Sequence, residues 1–285
     1  MKASSEEVYH SWDMRDRNDG ADVTVTPVIL TFNEASNIHA TLASLTWASR
    51  VVVLDSGSTD QTEEIARSFN NVNWYIRQFD NHREQWLYAI HESSIKTEYI
   101  LALDADMRPS VGFRDELKAF LKSGQFAGAR IPFEYRMLGR PLMGSIYPSQ
   151  IRLFQKDHVR IVQPGHSQAF EVNGSICKFR SPLIHEDLKP MSRWLNNQMR
   201  YASLEAIRIR RAEKQSFKDW LRISGLSPAI VGAWAYIRAG GPFRPHASRA
   251  YACERLIFEG ILARMLAETR KGASHTEIRG MGQSA

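Results

Sequence analysis

The sequence has few cysteines and no long apolar segment. Cys177 and Cys253 are its two cysteines, so it has no disulfide framework and no cysteine spacing typical of a metal site. No apolar run approaches the roughly 20 residues that cross a bilayer, and the first 22 residues lack the apolar core of a secretory signal. We therefore expect a protein of a reducing, cytoplasmic compartment without a spanning helix.

Two further absences bear on cofactors and architecture. No GxGxxG segment follows a predicted strand, which disfavours a dinucleotide cofactor, and we find no internal repeat. The chain has 285 residues, 43% of them hydrophobic and 24% charged, which is ordinary for a folded protein. We predict a loose polar leader over residues 1–22, an α/β domain over 23–189 and a helical region over 190–285.

Charge is distributed unevenly along the chain. From Pro190 to the end there are 16 Lys and Arg against 7 Asp and Glu, a balance of +9, whereas residues 1–189 carry −3. A basic C-terminal third suggests an anionic partner for it: phospholipid, phosphorylated glycan or nucleic acid. The alternative is a charged face that is merely solvated.

Four short apolar or β-rich segments predict the strands of a parallel sheet. They begin at Val28, Val51, Val72 and Tyr99. The first should start at Val28 because Pro27 would interrupt a central ladder. Asn33, at its end, is a suitable N-cap for the helix that follows. Strands alternating with helices predict an α/β protein with a Rossmann-like, mostly parallel sheet flanked by helices.

Two carboxylates follow the fourth strand, where ligands of such sheets bind. If the chain stays extended, Asp104 and Asp106 point to the same face and lie beyond the carboxyl end of the sheet. Like charges this close require a cation or a proton, and a hard divalent ion with oxygen ligands would serve. The alternative is a strand-end turn in which both side chains bond to local backbone.

Three short segments resemble the signature segments of family-2 glycosyltransferases with the GT-A fold, and their order and separation also match. They are Thr31–Glu34, Asp55–Asp60 and Leu103–Asp106. The resemblance covers about Pro27 to His185. It is closest to the branch that builds bacterial lipopolysaccharide cores and exopolysaccharides.

This resemblance implies a binding site for a nucleotide-sugar donor. Phe32, Asn33 and Glu34 would line the nucleotide pocket, and Asp55 would accept a hydrogen bond from the uracil or guanine ring. Asp104 would contact the ribose. Gln85 matches a polar residue in the helix before the Asp-x-Asp strand, and Arg83 is its rival for contact with phosphate.

The resemblance also implies a metal site and a catalytic base. Asp106 would hold a divalent cation, Mg²⁺ or Mn²⁺, with Asp104 nearby and His185 completing the site. Glu186 and Asp187 are the candidate general bases. Glu134 and Glu171 are the reserve candidates, to be considered if neither of these serves as the base. Related enzymes carry a His-Glu pair where this chain has His166 without a neighbouring carboxylate. A structural role for His166 is therefore as well supported as a functional one.

The implied activity is inverting transfer from a nucleotide-diphospho sugar, with UDP favoured, to a glycan or lipid-linked acceptor. Two alternatives stay open. A nucleotidyltransferase of similar fold would carry a Gly-rich G-x-G-x-R loop after its first strand, and none is present. A non-catalytic sugar-nucleotide-binding protein would keep the pocket and lack a working base.

The C-terminal third reads as amphipathic helices. Leu195, Met199, Ala202, Ala206 and Ile209 lie at helical spacing. The uncharged stretch 223–237 contains aromatic side chains that suit a membrane interface, namely Trp234 and Tyr236. We expect peripheral attachment to the inner face of a bacterial cell membrane and no nucleic-acid partner. The alternative is that these helices only cover the sheet, with Trp234 in the core.

Overall fold

The computed structural model describes residues 25–91, 93–162 and 168–268. The chain divides into two compact units, Met1–Lys189 and Pro190–Ala285. The predicted leader over 1–22 lies outside the described residues.

The first unit alternates strands and helices in its first half and is mostly strands in its second. The strands are β1 (Val25–Thr31), β2 (Val51–Asp55), β3 (Val72–Ile76), β4 (Tyr99–Asp104), β5 (Met107–Pro109), β6 (Gly128–Ile131), β7 (Phe133–Met137), β8 (Arg140–Pro141), β9 (Gln150–Gln155), β10 (Val159–Val162), β11 (Ala169–Val172), β12 (Ile176–Lys178) and β13 (Leu183–His185). The helices are α1 (Ile38–Ala43), α2 (Thr62–Arg67), α3 (His82–His91) and α4 (Phe113–Ser123).

A seven-stranded sheet in the order β12-β6-β9-β4-β1-β2-β3 forms the centre of this unit. β4, β1, β2 and β3 run parallel, and β9 is antiparallel to its neighbours β4 and β6. Along β4, Leu101 and Leu103 belong to one apolar core, and Ile100 and Ala102 to another on the opposite face. Burial on both faces is why these strands are continuous apolar runs. The predicted α/β class is confirmed.

The strand order creates a crevice at the carboxyl ends of β1 and β4. The chain passes from β1 to β2 and β3 on one side, then crosses to β4 on the other side of β1. Thr31, Asp55 and Asp104 all end their strands at this edge. Such a switch point is where open α/β sheets bind ligands.

After β4 the chain turns at Ala105 and Asp106 and enters a second sheet, of order β5-β13-β7-β8. β13 is antiparallel to β5, which sets His185 opposite Met107. The chain is therefore not extended through Ala105 and Asp106, as the sequence analysis assumed. Ala105 is nevertheless buried in the same apolar core as Leu103 and Met107, and the prediction that Asp104 and Asp106 share the other face stays a prediction.

Two local predictions for the first strand and helix are also wrong. β1 begins before Pro27, which lies opposite Leu101 of β4, while pairing with β2 starts only at Val28. Proline is tolerated there because only one neighbouring strand is paired at that position. Asn33 is not a helix N-cap, since α1 begins at Ile38 and Asn37 precedes it.

The second unit is helical throughout its described part. Its helices are α5 (Met191–Arg211), α6 (Phe217–Ile223), α7 (Ser227–Arg238) and α8 (Pro245–Glu268), with a 3-10 turn at Gly241–Phe243. Of the predicted apolar stripe, Ala202, Ala206 and Ile209 are buried, whereas Leu195 and Met199 are exposed. Among the described residues, no helix is long and apolar enough to cross a membrane.

Some of the arginines of the second unit are paired with acidic residues inside it. The buried Arg222 donates to both carboxylate oxygens of Glu259, at 3.0 and 2.7 Å, and to Glu205 at 2.6 Å. Arg208 pairs with Glu205 and with Asp219. These arginines are therefore not available to an external anion.

The close approach of β6 to β9 generates a stability prediction. A Cβ on Gly128 would lie 2.9 Å from the backbone oxygen of Leu153 and 3.3 Å from a methyl group of Val172. Gly128→Ala should therefore lower the free energy of unfolding by about 1–3 kcal/mol, as overpacking does. Chemical denaturation would measure it. The control is Gly260→Ala within α8, where a Cβ meets nothing within 4 Å and should stabilise by about 0.5–1 kcal/mol; equal effects would contradict the prediction.

Candidate functional site

Asn33 connects the loop after β1 to the loop after β2. Its backbone lies in the left-handed region at φ 54°, which asparagine tolerates better than most residues. Its side-chain oxygen accepts from the backbone N–H of Thr59 at 2.6 Å and of Asp60 at 3.3 Å. Its own N–H donates to Ser58 Oγ at 2.6 Å. The conformation of Asn33 thus fixes the two loops against each other, while the neighbouring Phe32 is 41% exposed.

Asp55 is buried at the end of β2, and its carboxylate organises its own loop. Oδ2 accepts from the backbone N–H of Gly57 at 2.8 Å and of Ser58 at 2.6 Å, and Oδ1 accepts from the Ser58 hydroxyl. Gly57 has φ 92°, which permits the tight turn. A carboxylate has about four acceptor positions, so contact with a nucleotide base would use the position that remains.

Gln85 is buried on α3, and both ends of its amide are engaged. Its nitrogen donates to Ser56 Oγ and to the Arg77 carbonyl, each at 2.9 Å, and its oxygen accepts from Arg77 Nη1 at 2.7 Å. These contacts hold the loops after β2 and β3. Arg83, on the same helix, is half exposed and forms an ion pair with Glu84. Substrate contact by Gln85 and Arg83 stays a prediction.

Asp104 lies against a buried arginine to which the sequence analysis assigned no role. Arg152 of β9 has a 7% exposed side chain, and its Nη2 lies 3.3 Å from Asp104 Oδ2. Burial raises the pKa of Asp104, but attraction to Arg152, then to His185 and His82, outweighs burial and holds the pKa below its usual value. Asp104 is therefore an ionised acceptor at neutral pH.

Asp106 lies in the turn between the two sheets and faces His185. Its Oδ1 is 3.7 Å from His185 Nε2, and this buried oxygen has no hydrogen-bond partner. The ring of His185 packs on Tyr135, with 4.6 Å between centroids. Of the two predicted Asp-x-Asp carboxylates, only Asp106 has a buried acceptor atom left over.

Lys189 is the residue at this edge that sequence reasoning missed. Its ammonium group lies 2.8 Å from Glu34 Oε1, 3.1 Å from Asp187 Oδ1 and 3.9 Å from Asp106 Oδ2, and its side chain is 7% exposed. Burial lowers the pKa of Lys189, but the three carboxylates together raise it well above its usual value. The available signal was a single basic residue two positions after the Glu186–Asp187 pair.

Asn37 joins the same cluster from α1. Its side-chain nitrogen donates to Glu34 at 2.8 Å and to Asp187 at 3.1 Å, and its oxygen accepts from the Leu188 N–H at 2.9 Å. Burial is the largest influence on Glu34 and raises its pKa, with Lys189 opposing the shift. Segments distant in sequence, after β1 and after β13, are thereby held together.

The two candidate bases are both ion-paired. Glu186 is buried, and its Oε2 accepts from Arg108 Nη2. Burial raises the pKa of Asp187, but Lys189 outweighs it and holds the pKa below its usual value. A general base works best when its pKa lies near the operating pH, so Asp187 is a weak base in this arrangement.

The reserve candidates lie in different surroundings. Glu134 of β7 pairs with Arg136 at 2.9 Å and neighbours the ring that packs on His185. Glu171 lines a cavity of about 440 Å³ between β10 and β11, and none of the other residues that line this cavity belongs to the predicted site. His166 lies in 163–167, outside the described residues.

The family comparison bears directly on this crevice. Residues 26–173 match the family described as Glycosyl transferase family 2, which is more than half of the chain. The chain belongs to glycosyl transferase family 2. The matched range contains the loops after β1 and β2, the Asp104–Asp106 segment and Arg152, and it ends before Lys189.

Solved structures give a more distant likeness. Residues 1–349 of S. aureus TarS, also solved with UDP-GlcNAc, match at 12% identity and a TM-score of 0.45, over 88% of this chain. The alignment covers 92% of the TarS structure without ligand and 93% of the complex. A glucosyl-3-phosphoglycerate synthase from Mycobacterium tuberculosis, in complex with Mn²⁺, UDP and phosphoglyceric acid, matches at 14% identity and a TM-score of 0.44. That match covers 68% of this chain and 80% of the synthase.

The chemistry of the donor set at Asp106 fits a divalent cation in part. Asp106 and His185 could act as protein ligands, and the unpartnered Asp106 Oδ1 is an acceptor that a cation would satisfy. Within 25–91, 93–162 and 168–268, no three His, Cys, Asp or Glu side chains are grouped to hold a metal. A hard cation there would take its remaining ligands from water or from phosphate, as Mg²⁺ commonly does.

We predict that Lys189→Met destabilises the protein much more than Lys189→Arg. Removing the buried ammonium leaves Glu34 and Asp187 without their cation, which typically costs about 3–5 kcal/mol. Chemical denaturation at pH 7 measures the difference. The loss should shrink as the pH falls, because protonated carboxyl groups no longer repel.

The matched control is Arg67→Met, which breaks an ion pair whose two side chains are 58% and 44% exposed. An exposed pair of this kind contributes about 0–1 kcal/mol. If Lys189→Met were no more destabilising than this control, the buried cluster would not be holding the site together.

Proposed function

We propose that this family-2 glycosyltransferase moves a sugar from a nucleotide-diphospho sugar to an acceptor hydroxyl with inversion. The observation that supports it most is the edge at the β1–β4 switch point. There Asp104 and Asp106, whose buried Oδ1 has no hydrogen-bond partner, lie beside the loops after β1 and β2. UDP is the proposed nucleotide.

The loops after β1 and β2 are proposed to bind the nucleoside. Phe32 is exposed at this edge and offers an aromatic face, and Asn33 sets the loop geometry. Asp55 would accept from the base through its remaining acceptor position, and Asp104, ionised and held by Arg152, would accept from the ribose. Gln85 would act by holding these loops in place.

Asp106 and His185 are the proposed protein ligands of a Mg²⁺ or Mn²⁺ ion, with Asp104, two residues before Asp106, as the further predicted metal residue. When bound, such an ion supplies positive charge that stabilises the departing diphosphate. Lys189 holds Glu34 and Asp187 beside Asp106, so the chain itself supplies a fixed positive charge near that carboxylate. Fixed charges of this kind need no reorganisation during the reaction.

In the transfer step, the acceptor oxygen forms a bond to the anomeric carbon while the bond to the diphosphate breaks. The acceptor proton passes to a carboxylate, proposed to be Glu186 or Asp187. Glu186 is held by Arg108 and Asp187 by Lys189 and Asn37, so both are well oriented. Orientation of the reacting groups is a major source of rate enhancement.

The acceptor is proposed to be a glycan or lipid-linked sugar of bacterial surface polysaccharide, reached from the inner face of the cell membrane. The +9 balance after Pro190 supports attachment to an anionic surface. Trp234 supports it further, because it is 53% exposed and so does not lie in the core. Tyr236 is partly buried.

A non-catalytic sugar-nucleotide-binding protein is the second candidate. The ion pairs of Glu186 and Asp187 favour it, since both candidate bases are engaged. Turnover of a panel of UDP-sugars separates the two: a binding protein gives saturable UDP-sugar binding without hydrolysis or transfer.

Asp106→Asn should abolish the metal dependence of donor binding. The amide keeps the shape of the side chain but offers a poorer ligand, so the gain in UDP affinity on adding Mn²⁺ should fall at least about tenfold. Calorimetric titration with UDP, with Mn²⁺ and with EDTA, measures it independently of turnover. The control is Asp157→Asn, at a 3-10 turn remote in sequence, which should behave as wild type. An unchanged Mn²⁺ effect in Asp106→Asn would remove Asp106 from the metal site.

If Glu186 or Asp187 is the base, Glu186→Gln or Asp187→Asn should reduce kcat by about 10²–10⁴-fold while the KM for the donor changes little. Steady-state kinetics with saturating acceptor measures this. Arg108→Met is the control for the ion pair: it should spare most activity if Glu186 reacts chemically, and match Glu186→Gln if Glu186 is only structural. Near-normal kcat in both carboxyl variants would direct attention to Glu134.

A further inference from the structure

α7 turns its large apolar side chains outward. Leu226, just before the helix, and Ile230, Trp234 and Ile237 within it recur at spacings of four, four and three residues, which is one face of a helix. They are 52%, 49%, 53% and 65% exposed. The pattern is the reverse of an ordinary surface helix, whose apolar stripe faces the core.

The inward face of α7 carries small residues instead. Ser227, Gly232, Ala235 and the following Ala239 are buried. A Cβ on Gly232 would lie 3.5 Å from Leu256 Cβ and 3.8 Å from the Ala252 carbonyl, both on α8. The two helices therefore pack closely through small side chains. Within the described part of the unit, the outward stripe is left exposed.

Apolar exposure continues on both sides of α7 in the sequence. Phe217 and Trp220 of α6 are 77% and 53% exposed, and their rings stack with centroids 5.7 Å apart. Phe243, in the 3-10 turn after α7, is 83% exposed. Residues 217–243 thus expose seven large apolar side chains. Apolar residues that are scattered singly over a protein surface do not reach this density.

The charged residues that follow Asp219 are all arginines as far as Cys253. From Trp220 to Cys253 the sequence has four arginines and no acidic residue. Arg222 is buried and paired, whereas Arg238, Arg244 and Arg249 are exposed. The guanidinium group of Arg238 lies 5.9 Å from the ring centroid of Trp234. Apolar and cationic groups are thus adjacent at the C-terminal end of α7.

We propose that α7 is the membrane-docking helix of this protein and lies in the plane of an anionic phospholipid surface. Its outward stripe would enter the headgroup–acyl boundary, with Arg238, Arg244 and Arg249 at the phosphates. At 12 residues, or about 18 Å, α7 is too short to cross a bilayer. The inference rests on the membrane location proposed above and names the surface responsible.

A second copy of the chain fits this surface less well. In a two-fold interface the same patch lies on both sides, so the exposed arginines of both copies would be brought together without an acidic partner in the segment. An anionic lipid surface would instead bury the apolar stripe and pair the exposed arginines with phosphate groups. The charge of this surface therefore favours a bilayer over a second copy of the chain.

The test is sedimentation of the full chain with lipid vesicles. Vesicles of phosphatidylcholine alone are compared with vesicles containing phosphatidylglycerol, at low and high salt. We expect binding to the anionic vesicles that weakens with salt. Ile230→Glu should reduce the partition coefficient at least about tenfold, and Arg238→Gln about fivefold on the anionic vesicles only.

Val111→Glu is the matched control, because Val111 is fully exposed in the first unit and receives the same substitution. Trp234→Phe provides a second readout: brominated lipid should quench tryptophan emission of the wild type more than of this variant. Melting temperature checks that each variant is folded.

Three outcomes would overturn the proposal: wild type staying in the supernatant with every vesicle, Val111→Glu losing as much binding as Ile230→Glu, or a wild-type dimer that Ile230→Glu dissociates. The last would identify a second copy as the occupant. Hydrolysis of a water-soluble UDP-sugar and transfer from it to glycan or lipid-linked acceptors are measured alongside. Vesicle binding without hydrolysis or transfer would contradict the transferase proposal and leave the docking helix standing, whereas hydrolysis or transfer without vesicle binding would do the opposite.

Discussion

The candidate site depends on one buried ammonium group. Glu34 follows β1, Asp106 follows β4 and Asp187 follows β13, and Lys189 lies within 2.8, 3.9 and 3.1 Å of their carboxylates, respectively. Carboxylates this close would repel and take up protons without a countercharge. The cation therefore allows three loops from two different sheets to converge at one edge.

This arrangement changes the argument for a metal ion. Repulsion between Asp104 and Asp106 does not by itself require a bound cation, because the chain supplies one for each: Arg152 at Asp104 and Lys189 near Asp106. A more specific observation favours a metal ion. The buried Oδ1 of Asp106 lies beside His185 and has no hydrogen-bond partner. The Asp-x-Asp pair is thus divided into one carboxylate held by arginine and one with an acceptor to spare.

The sequence predicted the sheet because its strands are buried on both faces, and β2, β3 and β4 begin where their apolar runs begin. It also located the acidic residues that end β2 and β4. It could not predict the turn at Ala105 and Asp106, which pairing between β5 and β13 imposes over a long sequence separation. No role was predicted for Lys189 or Arg152, because a buried cation is recognised by its neighbours, and those neighbours come from other parts of the chain.

Buried charges are paired in both units, whereas the large apolar side chains of α7 are left exposed. At the crevice and in the Glu205–Arg222–Glu259 network, buried charges have partners, so their desolvation is offset. On α7, the small residues that allow close packing on α8 leave the bulky apolar side chains no place inside. A sequence selected for stability alone would gain by exchanging the two faces, because water would no longer contact Trp234 and Ile237. An exposed apolar stripe, in a stretch from Trp220 to Cys253 that has arginines and no acidic residue, is therefore best explained by a surface that receives it.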